Sequence, residues 1–340
     1  MRTSSPLRAL TAALLGGAAL AGALAAGPQG ARDAAAARGP RPQIAVIPKG
    51  TTHEFWKTVQ AGALRAGAES GLDVWWKGPA REDDRDEQIK VVENAITRGV
   101  KGIVIAPLDE KALVPCLKEA AKAGIPVVVF DSGLQWDGQK SFVATDNEKG
   151  GQVAARELGR LLGGKGKVAM MRYVEGSAST GLREKGFLET MKSEFPGITV
   201  ASSDQYGGAT VESCYRTAEN LLNRFKDLNG IYAPNEPTTY AFMKALKDLG
   251  RPSGLKFVGF DSSEKLLKGL KDGQVDALVV QNPFRMGREA VETMARVLQG
   301  KEVPAVVDTG CILVTSSNLW EPAVQEVLRP PTPQPPLPGR

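Results

Sequence analysis

Residues 102–131 read GIVIAPLDEKALVPCLKEAAKAGIPVVVFD. Two unbroken apolar runs, Gly102–Ala106 and Ile125–Phe130, flank a helical stretch from Lys111 to Ala123. A strand that is apolar at every position, rather than at every second one, is covered on both faces. In a chain that alternates strand and helix, the covering layers are the crossover helices of a parallel sheet. The second run ends on a carboxylate, Asp131. Open α/β sheets bind ligands at that place, beyond the carboxyl ends of their strands.

The same beat extends in both directions. Upstream stand a strand at Gln43–Ile47, a helix at Glu54–Ser70 with Trp56, Val59, Ala63 and Leu64 at helical spacing, a strand at Asp73–Lys77 and a helix at Asp86–Arg98. After Phe142–Thr145 helix and strand alternate again as far as Phe260. Ser262–Leu270, Ala277–Val280, Arg285–Leu298 and Cys311–Val314 then exceed what a second six-strand unit needs, so the chain is expected to cross back to the first. The fold class is α/β, with two doubly wound parallel-sheet lobes facing one another.

Composition narrows the function. The 340 residues hold 42% hydrophobic and 24% charged residues, ordinary globular values. Lys and Arg (43) exceed Asp and Glu (38) by five without a basic run, so no nucleic-acid partner is expected. One histidine and three cysteines provide no zinc spacing, and neither a metal nor a cofactor is expected. The Gly-rich Leu162–Lys167 stretch follows a helix and precedes a strand, the reverse of a phosphate loop.

The ends of the chain read differently. Arg2 and Arg8 precede an apolar stretch, Ala9–Leu24, diluted by Gly16, Gly17 and Gly22, in the order of a secretory signal. Residues 1–25 are read as that signal, cleaved near Ala25 or Ala26, and 26–42 as a flexible leader. The proline-rich 329–340 is read as a disordered tail. Export permits a disulfide, and Cys116, Cys214 and Cys311 allow three pairings with one thiol left over, or three free thiols.

Candidate site residues stand where apolar runs end. Asp131, Asp261 and Asn235 each close one, and each either caps the next helix or faces a ligand. The first strand–helix turn brings His53, Phe55 and Trp56 to the mouth of strand one, with Trp56 either packed or poised to stack. A sugar needs aromatic faces for its C–H surface and carboxylates, amides and guanidinium forks for its hydroxyls. Asp131, Asp261, Asn235, Arg183 and Gln281 with Phe55, Trp56 and Tyr206 supply both.

Jointly these segments resemble the periplasmic sugar-binding proteins of the ribose-binding type, soluble receptors of ABC importers with the type I periplasmic binding protein fold. The resemblance spans about Gln43 to Asn318. It is carried by Phe55-Trp56, Ile125–Asp131, Thr145-Asp-Asn147 with Gly150-Gly151, Arg183–Phe187, Ile231–Asn235, Val258–Asp261 and Gln281. It implies that Phe55 and Trp56 sandwich the sugar with Tyr206 from the other lobe. Asp131, Arg183, Asn235, Asp261 and Gln281 would take its hydroxyls, and His53 would add a polar contact.

It also implies three hinge crossings, near Thr145–Asp146, Gln281–Asn282 and Asp308–Thr309. The N-terminal lobe would then be 43–145 with 282–308, and the C-terminal lobe 146–281 with 309–320. The expected partners are a monosaccharide or related polyol and the membrane-bound permease subunits of an ABC importer, and the exported chain is expected to be a periplasmic monomer. A receptor docking on a chemoreceptor or sensor kinase is the nearest alternative, and a glycosidase built on Asp131 and Asp261 a remote one. One departure stands out: ribose-type members carry arginine after the strand-four aspartate, whereas Asp131 is followed by Ser132 and Gly133.

Overall fold

Along the first strand, β1 (Gln43–Ile47), Ile44 and Val46 join one apolar cluster while Ala45 and Ile47 join another, and all four are buried. This is the two-sided burial that an unbroken apolar run requires. The computed structural model describes residues 41–251 and 254–330; the signal over 1–25 and most of the leader and of the tail lie outside the described residues.

Lobe one continues with α1 (Glu54–Ser70), β2 (Asp73–Trp76), α2 (Arg85–Thr97), β3 (Ile103–Ile105), α3 (Val114–Lys122), β4 (Val127–Phe130) and β5 (Ser141–Ala144). Lobe two follows with α4 (Asn147–Leu161), β6 (Gly166–Met170), α5 (Ala178–Glu194), β7 (Ile198–Ser202), α6 (Val211–Arg224), β8 (Gly230–Tyr232), α7 (Glu236–Asp248), β9 (Lys256–Phe260), α8 (Glu264–Lys271) and β10 (Ala277–Gln281). The chain then returns to lobe one as α9 (Pro283–Leu298) and β11 (Val306–Asp308). It ends in lobe two as β12 (Cys311–Thr315) and α10 (Pro322–Leu328).

The two sheets run β11-β5-β4-β3-β1-β2 and β12-β10-β9-β8-β6-β7. Every pairing is parallel except β10 with β12. In lobe one, α1 and α9 cover one face, α2 and α3 the other. In lobe two, α4 and α5 lie opposite α6, α7, α8 and α10. Each buried Val, Leu or Ile in these layers contributes about 1.5–3 kcal/mol.

Glycines let α1 and α9 of lobe one, and α4 and α5 of lobe two, touch backbone to backbone. A side-chain carbon at Gly151 in α4 would collide with the Arg183 carbonyl of α5, and one at Gly186 with the Glu148 carbonyl.

The chain passes between the sheets at Thr145–Asp146, Asn282 and Thr309–Gly310. Asp146 and Asn282 cap α4 and α9, accepting from the backbone N–H groups of Lys149 and Arg285. The first and third crossings are tied together, since Asp308 Oδ1 accepts from the N–H groups of Asp146 and Gly310. The helix expected from Lys111 starts at Val114 because Asp109 Oδ1 takes the N–H groups of Lys111 and Ala112 and holds a turn. Cys116, Cys214 and Cys311 are all free thiols.

Candidate functional site

The carboxyl ends of both sheets face a common cleft, and a cavity of about 30 Å3 lies there between the lobes. Eight of the nine residues expected at the site line it: His53, Phe55, Trp56, Asp131, Arg183, Asn235, Asp261 and Gln281.

Lobe one brings its groups from the turn after β1, the first turn of α1, the loop between β2 and α2, and the end of β4. Trp56 is only 2% exposed, with its ring edge-on to Phe55 and Phe130, so it is at once core and cavity wall. Its Nε1 donates to Glu82 Oε1 at 2.7 Å, and the same oxygen binds His53 Nδ1 at 2.8 Å. Burial disfavours the His53 cation, but the Glu82 hydrogen bond and charge outweigh it, and the imidazole pKa is raised. Burial likewise opposes the Glu82 anion, but His53 and Lys49 prevail and hold its pKa low. Asp131 Oδ2 lies 3.2 Å from Lys49 Nζ, so a lysine ammonium stands beside the carboxylate whose following residue is Ser132.

Lobe two brings α5, the start of α7, and the ends of β9 and β10. Arg183 is fixed by bonds from Nε to Asn147 Oδ1 (2.8 Å) and from Nη1 to the Pro234 carbonyl (2.9 Å), with its plane over Phe260. Asp261 accepts from Gln281 Nε2 (2.8 Å) and from the Glu236 N–H (3.0 Å), with Arg183 Nη1 at 4.0 Å. Burial raises its pKa against the Arg183 charge. Burial and Asp261 push the Glu236 carboxyl up to about 7. Asn235 performs both roles weighed for it, capping α7 through Thr238 while lining the cavity.

Tyr206 is the correction. It is 45% exposed, lies beneath the Arg172 guanidinium, and borders a separate cavity with Arg172 and Leu182. It follows β7, the edge strand of its sheet, so its loop stands at the margin of the cleft. The aromatic side chain that lobe two does present is Tyr173, just past the interior strand β6. Lys49, Glu82, Ser179, Thr180 and Glu236 also line the cavity and were not expected. Lys49 and Glu236 obey the same strand-end rule that pointed to Asp131 and Asn235.

Two acceptors at the cavity, Gln281 Oε1 and Glu236 Oε2, are buried with no hydrogen-bond partner. Of the four cavity carboxylates, Asp131 stands beside Lys49 and Asp261 near Arg183, while Glu82 and Glu236 both face His53, whose raised pKa favours its charged form. An environment of this kind accepts donors from a neutral, polyhydroxylated solute and repels an anion.

A family model described as a periplasmic binding protein domain matches residues 44–302. The D-ribose/D-allose-binding protein of Pseudomonas aeruginosa is 31% identical over 290 residues, 81% of this chain and 89% of that protein. A carbohydrate transporter solute binding protein from Agrobacterium radiobacter, solved with D-arabinose, superposes with a TM-score of 0.83 at 33% identity, covering 86% of this chain and all of that one. An ABC transporter solute binding protein from Agrobacterium vitis with bound D-fucose gives 0.81 at 36% identity over 84% of this chain and 99% of that one.

Proposed function

The chain belongs to the periplasmic binding protein family, and on that premise we propose that it captures a monosaccharide or related polyol between its lobes and delivers it to the permease of an ABC-type importer. The observation that carries this reading is the pair of unpartnered acceptors, Gln281 Oε1 and Glu236 Oε2, at an interlobe cavity walled by Phe55 and Trp56. A buried acceptor without a donor costs about 1–3 kcal/mol, and a sugar hydroxyl removes that cost.

In this reading Phe55 and Trp56 take the C–H face of the ring, while His53, Asp131, Arg183, Asn235, Asp261 and Gln281 take its hydroxyl rim. Lys49 Nζ faces Asp131 Oδ2 at 3.2 Å, and a point donor rather than a planar fork at that carboxylate shapes the choice of sugar. The cavity is small and lies between the two lobes, so the solute enters by their separation. The moving bodies are 43–145 with 282–308 and 146–281 with 309–320, and the ligand stabilises closure by contacts made in the closed form alone.

The chain acts as a monomer, exported to the periplasm, and makes or breaks no bond. Titration calorimetry of the mature protein against pentoses, hexoses, deoxy sugars and polyols, with product analysis, tests the reading. Micromolar or tighter binding without turnover is expected. Turnover, or silence across the panel, refutes it.

A further inference from the structure

Closure of the lobes is concentrated on one short segment. Glu175–Ser179, which leads into α5 of lobe two, meets four separate elements of lobe one. Arg85, at the start of α2, donates from Nη2 to the Glu175 carbonyl at 2.8 Å. The Glu110 N–H, after β3, donates to the Gly176 carbonyl at 3.0 Å. Past β4, Ser132 Oγ accepts from the Ser179 N–H at 3.0 Å. Past β1, Lys49 Nζ donates to Ser179 Oγ at 2.9 Å and to Ser177 Oγ at 3.3 Å.

Gly176 permits the approach. Its φ is +84°, and a side-chain carbon there would run into the Asp109 carboxylate, which itself holds Arg85 Nε at 2.9 Å. The opposite rim is different. There His53 and Glu54 of lobe one stand apart from Tyr240 and Lys265 of lobe two around an open cavity of about 380 Å3.

We propose that Glu175–Ser179 is a clasp that draws the lobes together by bonds between protein groups alone, so that closure is shared between clasp and solute. Through Arg85, Glu110 and Ser132, which lie off the cavity, the clasp sets how often the empty protein is closed, and the cavity, which Lys49 and Ser179 also line, sets which solute is held. If the closed form has population f without ligand, the apparent dissociation constant is the intrinsic one divided by f. Weakening the clasp therefore raises the dissociation constant of every solute by one common factor, whereas a change in the cavity alters the factor from solute to solute. The affinity arm of this inference rests on the proposed function; the arm without ligand does not.

Arg85→Ala and Gly176→Ala test it, since neither residue lines the cavity and the Arg85 side chain is half-exposed. Small-angle scattering of the ligand-free proteins is compared first, then titration with D-ribose, D-arabinose, D-allose and D-fucose. A larger radius of gyration in both ligand-free variants is expected. Arg85→Ala is expected to weaken every sugar that binds by the same factor, about tenfold for one lost charge-assisted hydrogen bond. Ligand-free profiles superimposable on the parent protein, or a factor that differs from sugar to sugar, overturn the clasp. If no sugar binds, the proposed function fails, and the ligand-free scattering still decides the clasp.

Discussion

Asp131 and Asp261 occupy equivalent places in the two lobes. Each follows the fourth strand of its lobe, each lies between a phenylalanine and a serine, and each has positive φ, +60° and +69°. Among the described residues no other non-glycine does. Each N–H still donates to the neighbouring strand, at 3.0 Å to the Val143 carbonyl and 2.8 Å to the Val279 carbonyl. The left-handed turn therefore comes after the last ladder bond and lifts the carboxylate toward the cleft. Such strain is typical of residues placed for binding rather than for packing.

That geometry separates two substitutions of Asp261. Asparagine tolerates left-handed backbone, and burial already disfavours the charge it removes. Asp261→Asn is expected to leave the thermal midpoint nearly unchanged while weakening sugar binding about tenfold or more. Asp261→Val places a β-branched side chain at positive φ and is expected to cost about 1–3 kcal/mol of stability. Thermal unfolding beside calorimetry distinguishes them; equal melting of the two variants refutes the strain argument.

Stability should fall as pH rises from about 5 to 8. Glu236 has a folded pKa of about 7 against an ordinary 4.5, so between those values the folded state holds more protons and rising pH favours unfolding. His53, raised above its ordinary 6.5, contributes stability that is complete below that value and is lost as pH climbs through the folded value. Glu82 acts at the other end: its lowered pKa contributes stability above 4.5 that is lost as pH falls through the folded value. Urea midpoints across this range should decline for the parent protein. Glu184, whose carboxyl burial likewise pushes up to about 7, titrates in the same window, so Glu236→Gln should lessen the slope below 7 without removing it, and an unaltered slope in that variant refutes the assignment.

The strands and their helices were legible because two-sided burial writes itself as unbroken apolar runs. Asp131, Asn235, Asp261 and Gln281 were legible because they stand at the ends of such runs. Glu82 was not, since its burial comes from Trp56 and His53 folding onto a loop that reads as an ordinary charged turn. The edge strand β11 was not, because Pro304 interrupts its short apolar run, Val303–Val307, and Val306 is 65% exposed. Tyr206 and Tyr173 both follow strands of lobe two, and only the order of strands within the sheet decides which one faces the cleft.

That order yields a prediction about the two tyrosines. Tyr206→Ala should leave sugar affinity within about twofold of the parent, because a half-exposed side chain off the cavity contributes little to what is held inside it. Tyr173→Phe keeps the ring but removes a buried hydroxyl that donates to the Ala209 carbonyl at 3.4 Å. Its cost should fall on stability, about 0.5–1.5 kcal/mol, before it falls on binding. A large affinity loss in Tyr206→Ala would restore the sandwich that the sequence suggested.

The glycine at the crossing of α4 and α5 gives a test in which sign alone decides. In an ordinary helix interior, glycine to alanine stabilises by about 0.8–1.0 kcal/mol through backbone entropy. At Gly151 the added carbon meets the Arg183 carbonyl, and backbone cannot rotate away as a side-chain tip does. Separating the helices would also shift Arg183, whose bonds to Asn147 and Pro234 hold the guanidinium at the cavity. Gly151→Ala is therefore expected to destabilise the protein by about 1–3 kcal/mol, as overpacking of a core does, and to weaken sugar binding with it. At Gly159, also in α4, the nearest atoms belong to the ring of Phe195, a side chain, and Gly159→Ala should be tolerated better. Equal melting temperatures for the two variants would show that the helices do not meet through their backbones at Gly151.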